Sequence, residues 1–271
     1  MILAVIGTGN MGQALTRGFL RQKLLTGESL RLYDADQNKA GEFARETGGK
    51  ACASEAEAAA QADVVLLAVK PQVIEPALTA FAGQMTEHSL LISIAAGVSL
   101  ARLRSLAGPS AAIARVMPNT PAMVGSGVSA VCFDRASPHQ RQLVNDLLAS
   151  CGLVFPVQEK MMDAVTGLSG SGPAYVLLMI EAMADAGVYL GLNRDAALQM
   201  AAMTVQGTAR MLLETGQHPA VLKDQVCSPG GTTIEAVLSL EEDGLRAALM
   251  HAVCAAADKS RQMREQSGSH V

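Results

Sequence analysis

Short apolar runs recur along the first half of the chain, at residues 2–6, 29–33, 63–69, 89–94, 111–116, 128–133 and 153–157. Between several of them lie stretches of helical character, at 13–20, 36–44, 54–60, 99–106 and 138–150. Strand and helix in alternation predict βαβ units and a parallel sheet. The run Asp63-Val64-Val65-Leu66-Leu67-Ala68-Val69 is continuous rather than alternating, as a strand covered on both faces requires. No convincing strand follows residue 158. Helices are predicted over 161–168, 173–191, from Asn193 to near Gly216, from His218-Pro219 to 226, from Ile234, and from Gly244 to about Arg264, with a polar tail. The stretch 173–190 is apolar nearly all round, so it must be covered on most sides. It carries Glu181 and Asp185 and reads as a buried helix rather than a membrane span.

The first run breaks at Gly7-Thr8-Gly9-Asn10-Met11-Gly12, a G-x-G-x-x-G that follows a strand and opens a helix. Gly7 permits the tight turn, Gly9 lets backbone approach a pyrophosphate, and Gly12 lets helix and strand pack closely. The helix start then offers free N–H groups to phosphate. This predicts a dinucleotide site in a doubly wound sheet of Rossmann type, the alternative being a bare structural turn. Asp34 ends the second strand 22 residues after Gly12. It either accepts from the adenosine ribose or caps the next helix, a task Asp36 can perform unaided.

Ligands of such sheets bind beyond the carboxyl ends of the strands. Ala68-Val69-Lys70-Pro71 therefore sits beside the cofactor, with Lys70 either meeting a phosphate or ribose or simply solvated. Small residues at Ala95-Ala96-Gly97 let a flat ring approach the backbone. Pro118-Asn119 belong to a rigid polar loop that either holds substrate or connects strands. In the helical half, Ser228-Pro229-Gly230-Gly231-Thr232-Thr233 precedes a helix. The amides of Gly231, Thr232 and Thr233 and the threonine hydroxyls form a cradle for a small carboxylate, unless they serve only as a cap.

Composition adjusts this picture. The 271 residues suffice for one large domain or two ordinary ones. A charged fraction of 17% against 49% hydrophobic suggests surface buried between subunits. With aromatics at 3%, no Trp and 14 Met, the core is expected to be aliphatic and partly filled by methionine. A net charge of −4 without a basic stripe argues against nucleic acid. The five cysteines are scattered, lack metal spacing, and read as buried apolar residues in a reducing compartment. The five histidines read as surface or cap residues, and no metal site is expected. The chain opens directly into a strand, so no signal peptide is expected.

Taken in order, Gly7–Gly12, Ala68-Val69-Lys70-Pro71-Gln72, Ser93-Ile94-Ala95-Ala96-Gly97-Val98, Met117-Pro118-Asn119-Thr120-Pro121, Leu168-Ser169-Gly170-Ser171-Gly172-Pro173-Ala174-Tyr175 and Asp224-Gln225-Val226-Cys227-Ser228-Pro229-Gly230-Gly231-Thr232-Thr233-Ile234 resemble the pyrroline-5-carboxylate reductase family. The resemblance implies reduction of the cyclic imine 1-pyrroline-5-carboxylate to L-proline, the last step of proline biosynthesis. It implies NADPH as cofactor, with NADH possible because Asp34 and Asp36 would repel a 2′-phosphate. It further implies a cytoplasmic enzyme, no membrane association, and a dimer with entwined C-terminal helices, or a ring of dimers. The expected architecture is α/β, with an N-terminal Rossmann-type domain over 1–158 and an all-α dimerisation and substrate domain over 159–271. In this reading Thr233 is catalytic, hydrogen-bonding the ring nitrogen, and Ser228, Gly230, Gly231, Thr232 and Thr233 hold the substrate. Gly7, Thr8, Gly9, Asn10, Met11, Gly12, Asp34, Ala68, Val69, Lys70, Pro71, Ala95, Ala96, Gly97, Pro118 and Asn119 bind the cofactor. The glycine frame of β-hydroxyacid dehydrogenases can be laid on Gly167, Gly170 and Gly172. Val176 and Ile180 then occupy its lysine and asparagine positions, which favours an imine over a ketone substrate.

Overall fold

The structure, a computed structural model, describes residues 1–268. The chain divides into two compact units: Met1–Ser171 together with the segment from Cys254 onward, and Gly172–Val253.

The first unit is built on a sheet. Strand β1 (Leu3–Ile6) leads through helix α1 (Asn10–Arg21) to β2 (Leu30–Tyr33), and α2 (Gln37–Thr47) to β3 (Lys50–Ala51). Next come α3 (Glu55–Ala59), β4 (Val64–Leu67), α4 (Ile74–Phe81), β5 (Leu90–Ser93), α5 (Leu100–Ala107) and β6 (Ala112–Met117). A short 3₁₀ turn, Thr120–Val124, reverses the chain into β7 (Gly127–Asp134), and α6 (Pro138–Ala149) returns it to β8 (Gly152–Pro156). Among the described residues the eight strands form one sheet in the order β3-β2-β1-β4-β5-β6-β7-β8, parallel throughout except between β6 and β7. The order reverses at β1, whose neighbours are β2 and β4.

Successive residues of a strand face opposite sides, so the apolar runs supply two cores. Leu3, Val5, Val64 and Leu66 pack with Leu15, Phe19 and Phe43 of α1 and α2 and with Val144, Leu147 and Leu148 of α6. Ala4, Ile6, Val65 and Leu67 pack with Ala58, Ile74, Leu78, Phe81 and Leu103 of α3, α4 and α5. Each fully buried Leu or Phe contributes roughly 1.5–3 kcal/mol relative to exposure, so these two layers carry the unit. The doubly wound sheet expected from the pattern is present. The pattern gave no signal for β3, a two-residue edge strand, or for α4, which a proline at its third position obscures.

The sheet is followed by α7 (Met162–Val165), a π-helical turn (Thr166–Gly170) and α8 (Gly172–Tyr189). Then come α9 (Arg194–Thr215), α10 (Pro219–Val226), α11 (Thr232–Glu242) and α12 (Leu245–Gly268). Capping fixes the boundaries read from sequence. Asn193 Oδ1 accepts from the amides of Asp195 and Ala196, His218 Nδ1 accepts from Ala220, and Gly216 closes α9 at φ +62°. The final helix runs beyond the expected end near Arg264 to Gly268. The rest of the polar tail, with His270, lies outside the described residues.

Three expectations require adjustment. The 173–190 stretch is helical but not buried within its chain. Ala184 is its one buried residue, packed on Ala197 and Ala201 of α9, while Leu177, Leu178 and Leu190 are exposed. Small residues let α8 and α9 approach closely, and their other faces are left without cover from the chain itself. Methionine fills the core only in small part: Met162 is buried, Met11, Met85 and Met117 pack half-buried against the two cores, and Met183, Met200, Met203 and Met250 lie exposed on helices. The rest of the core is aliphatic as expected, Ala, Leu, Val and Ile around Phe19, Phe43 and Phe81. Of the cysteines, Cys52, Cys132 and Cys151 are buried as expected, but Cys227 is half-buried and Cys254 exposed. Cys227 sits at a helix end and Cys254 on an uncovered helix face, where sequence character alone does not bury a residue.

The carboxyl-terminal part of α12 is anchored within the first unit. Asp163, 7% exposed, accepts from Ser260 Oγ at 2.8 Å and from Arg264 Nε at 3.1 Å. Among the described residues no helix is long and apolar enough to cross a membrane.

Candidate active site

The chain leaves β1 through the glycine turn, still tied to the end of β2 by Gly7 N–H donating to Tyr33 O at 2.8 Å. Gly7 has φ +98°, and a Cβ there would lie 2.6 Å from the Ala68 carbonyl oxygen. A Cβ on Gly12 would lie 2.3 Å from the Gly7 oxygen and 3.1 Å from Ala68 Cβ, so α1, β1 and the end of β4 meet at van der Waals distance. Gly9 differs: nothing stands within 4 Å of the position its Cβ would take. It is also the N-cap of α1, with no side-chain cap, so the first amides of α1 leave the helix without a partner in that role. Two glycines thus close the turn from behind, and the third opens it toward space a phosphate can enter. This is the observed fit of the turn to a dinucleotide.

Asp34, half-buried beyond β2, is tied to this turn. Its Oδ2 accepts from Thr8 N at 2.7 Å and Thr8 Oγ1 at 3.2 Å, and its Oδ1 accepts from Asp36 N at 3.0 Å. Capping of α2 belongs to Asp36, which accepts from Asn38 N at 3.1 Å. The two readings of Asp34 are therefore resolved in part: it is not the helix cap, and it holds the glycine turn. Burial first, then the nearby Glu55 carboxylate, push the Tyr33 hydroxyl above its ordinary pKa.

Beyond the strand ends, a cleft of about 310 Å³ is lined by Met11 from the glycine turn and by Ala68, Val69, Lys70 and Pro71 after β4. Ile94, Ala95 and Ala96 after β5, Met117, Pro118, Asn119 and Thr120 after β6, and Gly170 complete it. The structure thus brings together, in one cleft, nine of the residues expected from sequence. Lys70 is its one ionisable lining residue. Gly97 is not part of the lining. It turns at φ +74° toward α12, where a Cβ would lie 3.1 Å from Met263 Cβ. Ile94, Met117, Thr120 and Gly170 were not assigned a site role, although each belongs to a motif already singled out.

Asn119 is 7% exposed and its amide is bonded at both ends. Oδ1 accepts from Val128 N at 2.8 Å, and Nδ2 donates to Ser169 O at 3.0 Å. It fixes the loop after β6 to β7 and to the π turn, and so shapes the wall of the cleft. π turns occur often at functional sites because the extra residue re-aims the backbone. Here the turn closes with Ser171 N–H donating to Thr166 O at 2.8 Å.

The second candidate cluster belongs to the other unit. Gly231 N–H donates to Ser228 O at 3.0 Å, Gly230 has φ +64°, and a Cβ on Gly231 would lie 2.2 Å from Ser228 Oγ. Gly231 is the N-cap of α11 and has no side-chain cap, although Thr232 and Thr233 follow it. Thr233 is half-buried and Thr232 exposed. The hexapeptide thus brings its two glycines, Ser228 and both threonines to one uncapped helix start, as an anion cradle requires.

A family model described as pyrroline-5-carboxylate reductase dimerisation matches residues 159–263, and one described as NADP oxidoreductase, coenzyme F420-dependent, matches residues 2–97. The pyrroline-5-carboxylate reductase of Glycine max is 43% identical over 263 residues, covering 96% of this chain and 95% of the relative. The chain belongs to the pyrroline-5-carboxylate reductase family. The Escherichia coli K12 reductase is 40% identical over 262 residues, covering 96% of this chain and 97% of its own. The crystal structure of Plasmodium falciparum pyrroline carboxylate reductase with NADP bound matches at a TM-score of 0.89 and 34% identity, covering 97% of this chain and 98% of that one. Membership in the reductase family spans both units, so the likeness includes the glycine turn, the cleft and the α11 cradle alike.

Proposed function

We propose that this chain reduces 1-pyrroline-5-carboxylate to L-proline with NADPH, NADH being the possible alternative. The observation that carries the reading is the cleft itself: it adjoins the glycine turn, it is lined by small and apolar residues, and Lys70 is its one ionisable member. Such a wall seats a flat ring against apolar side chains but offers little acid–base chemistry. An imine suits it, because its protonated form is already an electrophile and needs positioning more than a strong acid. A ketone would leave an alkoxide to be protonated. The reduced nicotinamide, when bound, supplies the hydride that adds to the imine carbon; the C=N π pair becomes the nitrogen lone pair, and the proton already on nitrogen stays.

The roles of this chain's residues follow. Gly7, Gly9 and Gly12, with Thr8, Asn10 and Met11, hold the pyrophosphate at the start of α1, and Asp34 receives the adenosine ribose. Ala68, Val69, Lys70, Pro71, Ala95, Ala96, Gly97, Pro118 and Asn119 form or support the wall for the nicotinamide half. Ser228, Gly230, Gly231, Thr232 and Thr233 hold the substrate carboxylate, and Thr233 hydrogen-bonds the ring nitrogen. The half from residue 159 onward serves as the dimerisation region, supported by the matching family model and by the uncovered Leu177, Leu178, Met200, Met203 and Leu213. A reducing, cytoplasmic setting fits the five free thiols.

The test is nicotinamide absorbance as purified protein meets 1-pyrroline-5-carboxylate with NADPH or NADH. Substrate-dependent oxidation, with proline formed in equal amount, is expected. Cofactor binding without oxidation by either would overturn the reading.

A further inference from the structure

Two carboxylates occupy the place where an adenosine ribose meets the second strand. The structure assigns their donors. Asp34 takes the amides of Thr8 and Asp36 and the Thr8 hydroxyl, and Asp36 takes the amide of Asn38. Backbone N–H groups at this corner are the natural partners of an anion, and here three are already held by the protein's own carboxylates. Lys39, 3.7 Å from Asp36, is a cation set against the pair, and both partners of this ion pair are solvent-exposed and screened. Glu55 adds a further negative charge beside Tyr33.

From this we propose that Asp34 and Asp36 set the cofactor preference of this chain, so that it binds NADH more tightly than NADPH while still accepting both. The inference rests on the proposed NAD(P)H-dependent reaction. An ionised carboxylate has about four acceptor positions. Thr8 uses two on Oδ2 of Asp34 and Asp36 N uses one on Oδ1. One acceptor position on Oδ1 is left, and it matches the 2′-hydroxyl of an unphosphorylated ribose, which donates a single proton. A 2′-phosphate has no proton to give at neutral pH and brings close to two negative charges. It must approach Asp34 and Asp36, and the amides that would compensate it are taken. Like charges within hydrogen-bond distance disfavour each other, and the repulsion here, chiefly from half-buried Asp34 and less from exposed Asp36, falls on one cofactor alone.

The experiment is titration of purified full-length protein with NADH and with NADPH by calorimetry, without substrate. Wild-type protein is compared with Asp36→Ser and with the double variant Asp34→Asn, Asp36→Ser. Serine is a good N-cap and asparagine retains one acceptor for Thr8, so the α2 cap and the tie to the glycine turn are kept while the amide of residue 36 is released from its acceptor. Wild-type protein is expected to bind NADH at least 10-fold more tightly. The double variant is expected to narrow or reverse that ratio by 10-fold or more, chiefly through tighter NADPH. Tighter NADPH binding by wild-type protein, or an unmoved ratio in the double variant, overturns the inference. Binding of neither dinucleotide overturns it together with the function it rests on. Clear binding with the expected ratio but no reduction of the imine overturns that function alone.

Discussion

Gly12 stands so close to Gly7 that a Cβ on it would sit 2.3 Å from the Gly7 carbonyl oxygen, whereas a Cβ on Gly9 would meet nothing within 4 Å. The same motif therefore contains a packing glycine and a binding glycine, and alanine separates them. Gly12→Ala is expected to lower the melting temperature and the yield of folded protein, since backbone cannot yield by more than a few tenths of an ångström without loss. Gly9→Ala is expected to melt within a degree or two of wild type and to bind dinucleotide about 10-fold or more weakly. Paired thermal melts and cofactor titrations decide it; equal behaviour of the two variants would remove the distinction.

The Asn119 amide joins the loop after β6 to β7 and to the π turn, with both ends satisfied. Asn119→Ala leaves Val128 N–H and Ser169 C=O without these partners. A total loss of about 1–3 kcal/mol is expected from urea unfolding, since both orphaned groups are only partly buried. Asn119→Asp should cost more, because a carboxylate oxygen would then face the Ser169 carbonyl.

Alkaline stability has a definite source. Burial, and secondarily Glu159, push the Cys132 thiol up from 9.0 to about 11. The raised value means the folded state favours the neutral thiol. Its contribution is whole below pH 9 and is lost as pH rises from about 9 to 11, while the unfolded chain ionises first. The loss is on the order of 2–3 kcal/mol. Unfolding free energies of Cys132→Ala should fall less steeply across that window than those of wild type. Parallel curves would assign the alkaline loss to other groups.

Thr233→Val keeps the shape at the start of α11 and removes the hydroxyl. With folding intact by circular dichroism, kcat/KM for the imine is expected to fall roughly 10–1000-fold, as for a single lost polar contact or proton relay. Unchanged kinetics would dismiss a catalytic hydroxyl.

The uncovered faces of α8 and α9 make stability depend on concentration. Melting temperature should rise as protomer concentration increases from nanomolar to micromolar, because a partner that binds the folded state shifts the equilibrium by mass action. A melting temperature constant over that range, with sedimentation as a monomer, would exclude the proposed dimer.

Much of this molecule is legible in its sequence, for identifiable reasons. Runs such as Val64–Leu67 announce buried parallel strands because both faces need apolar residues, and Asn193, Gly216 and His218 mark helix ends through local hydrogen bonds. The cleft residues follow because the glycine motif locates the sheet's ligand edge. What stays hidden depends on packing at a distance. Nothing local tells that Asp34 turns back to Thr8, that Gly97 turns toward Met263, or that Asn119 spends its amide on Val128 and Ser169. Burial is the other blind spot. An apolar helix such as α8 announces that it needs cover but not which chain supplies it, and Cys254 shares that ambiguity.

Helix α12 begins in the helical unit and ends in the sheet unit, where Ser260 and Arg264 hold Asp163. The helical unit is therefore an insertion rather than an appendage: the polypeptide leaves the sheet unit after Ser171 and rejoins it at Cys254. A premature stop codon near residue 254 would thus be a lesion of the nucleotide-binding half. It would spare every residue of the inserted unit yet cut α12 short and strand the Asp163 carboxylate, 7% exposed, without these two donors.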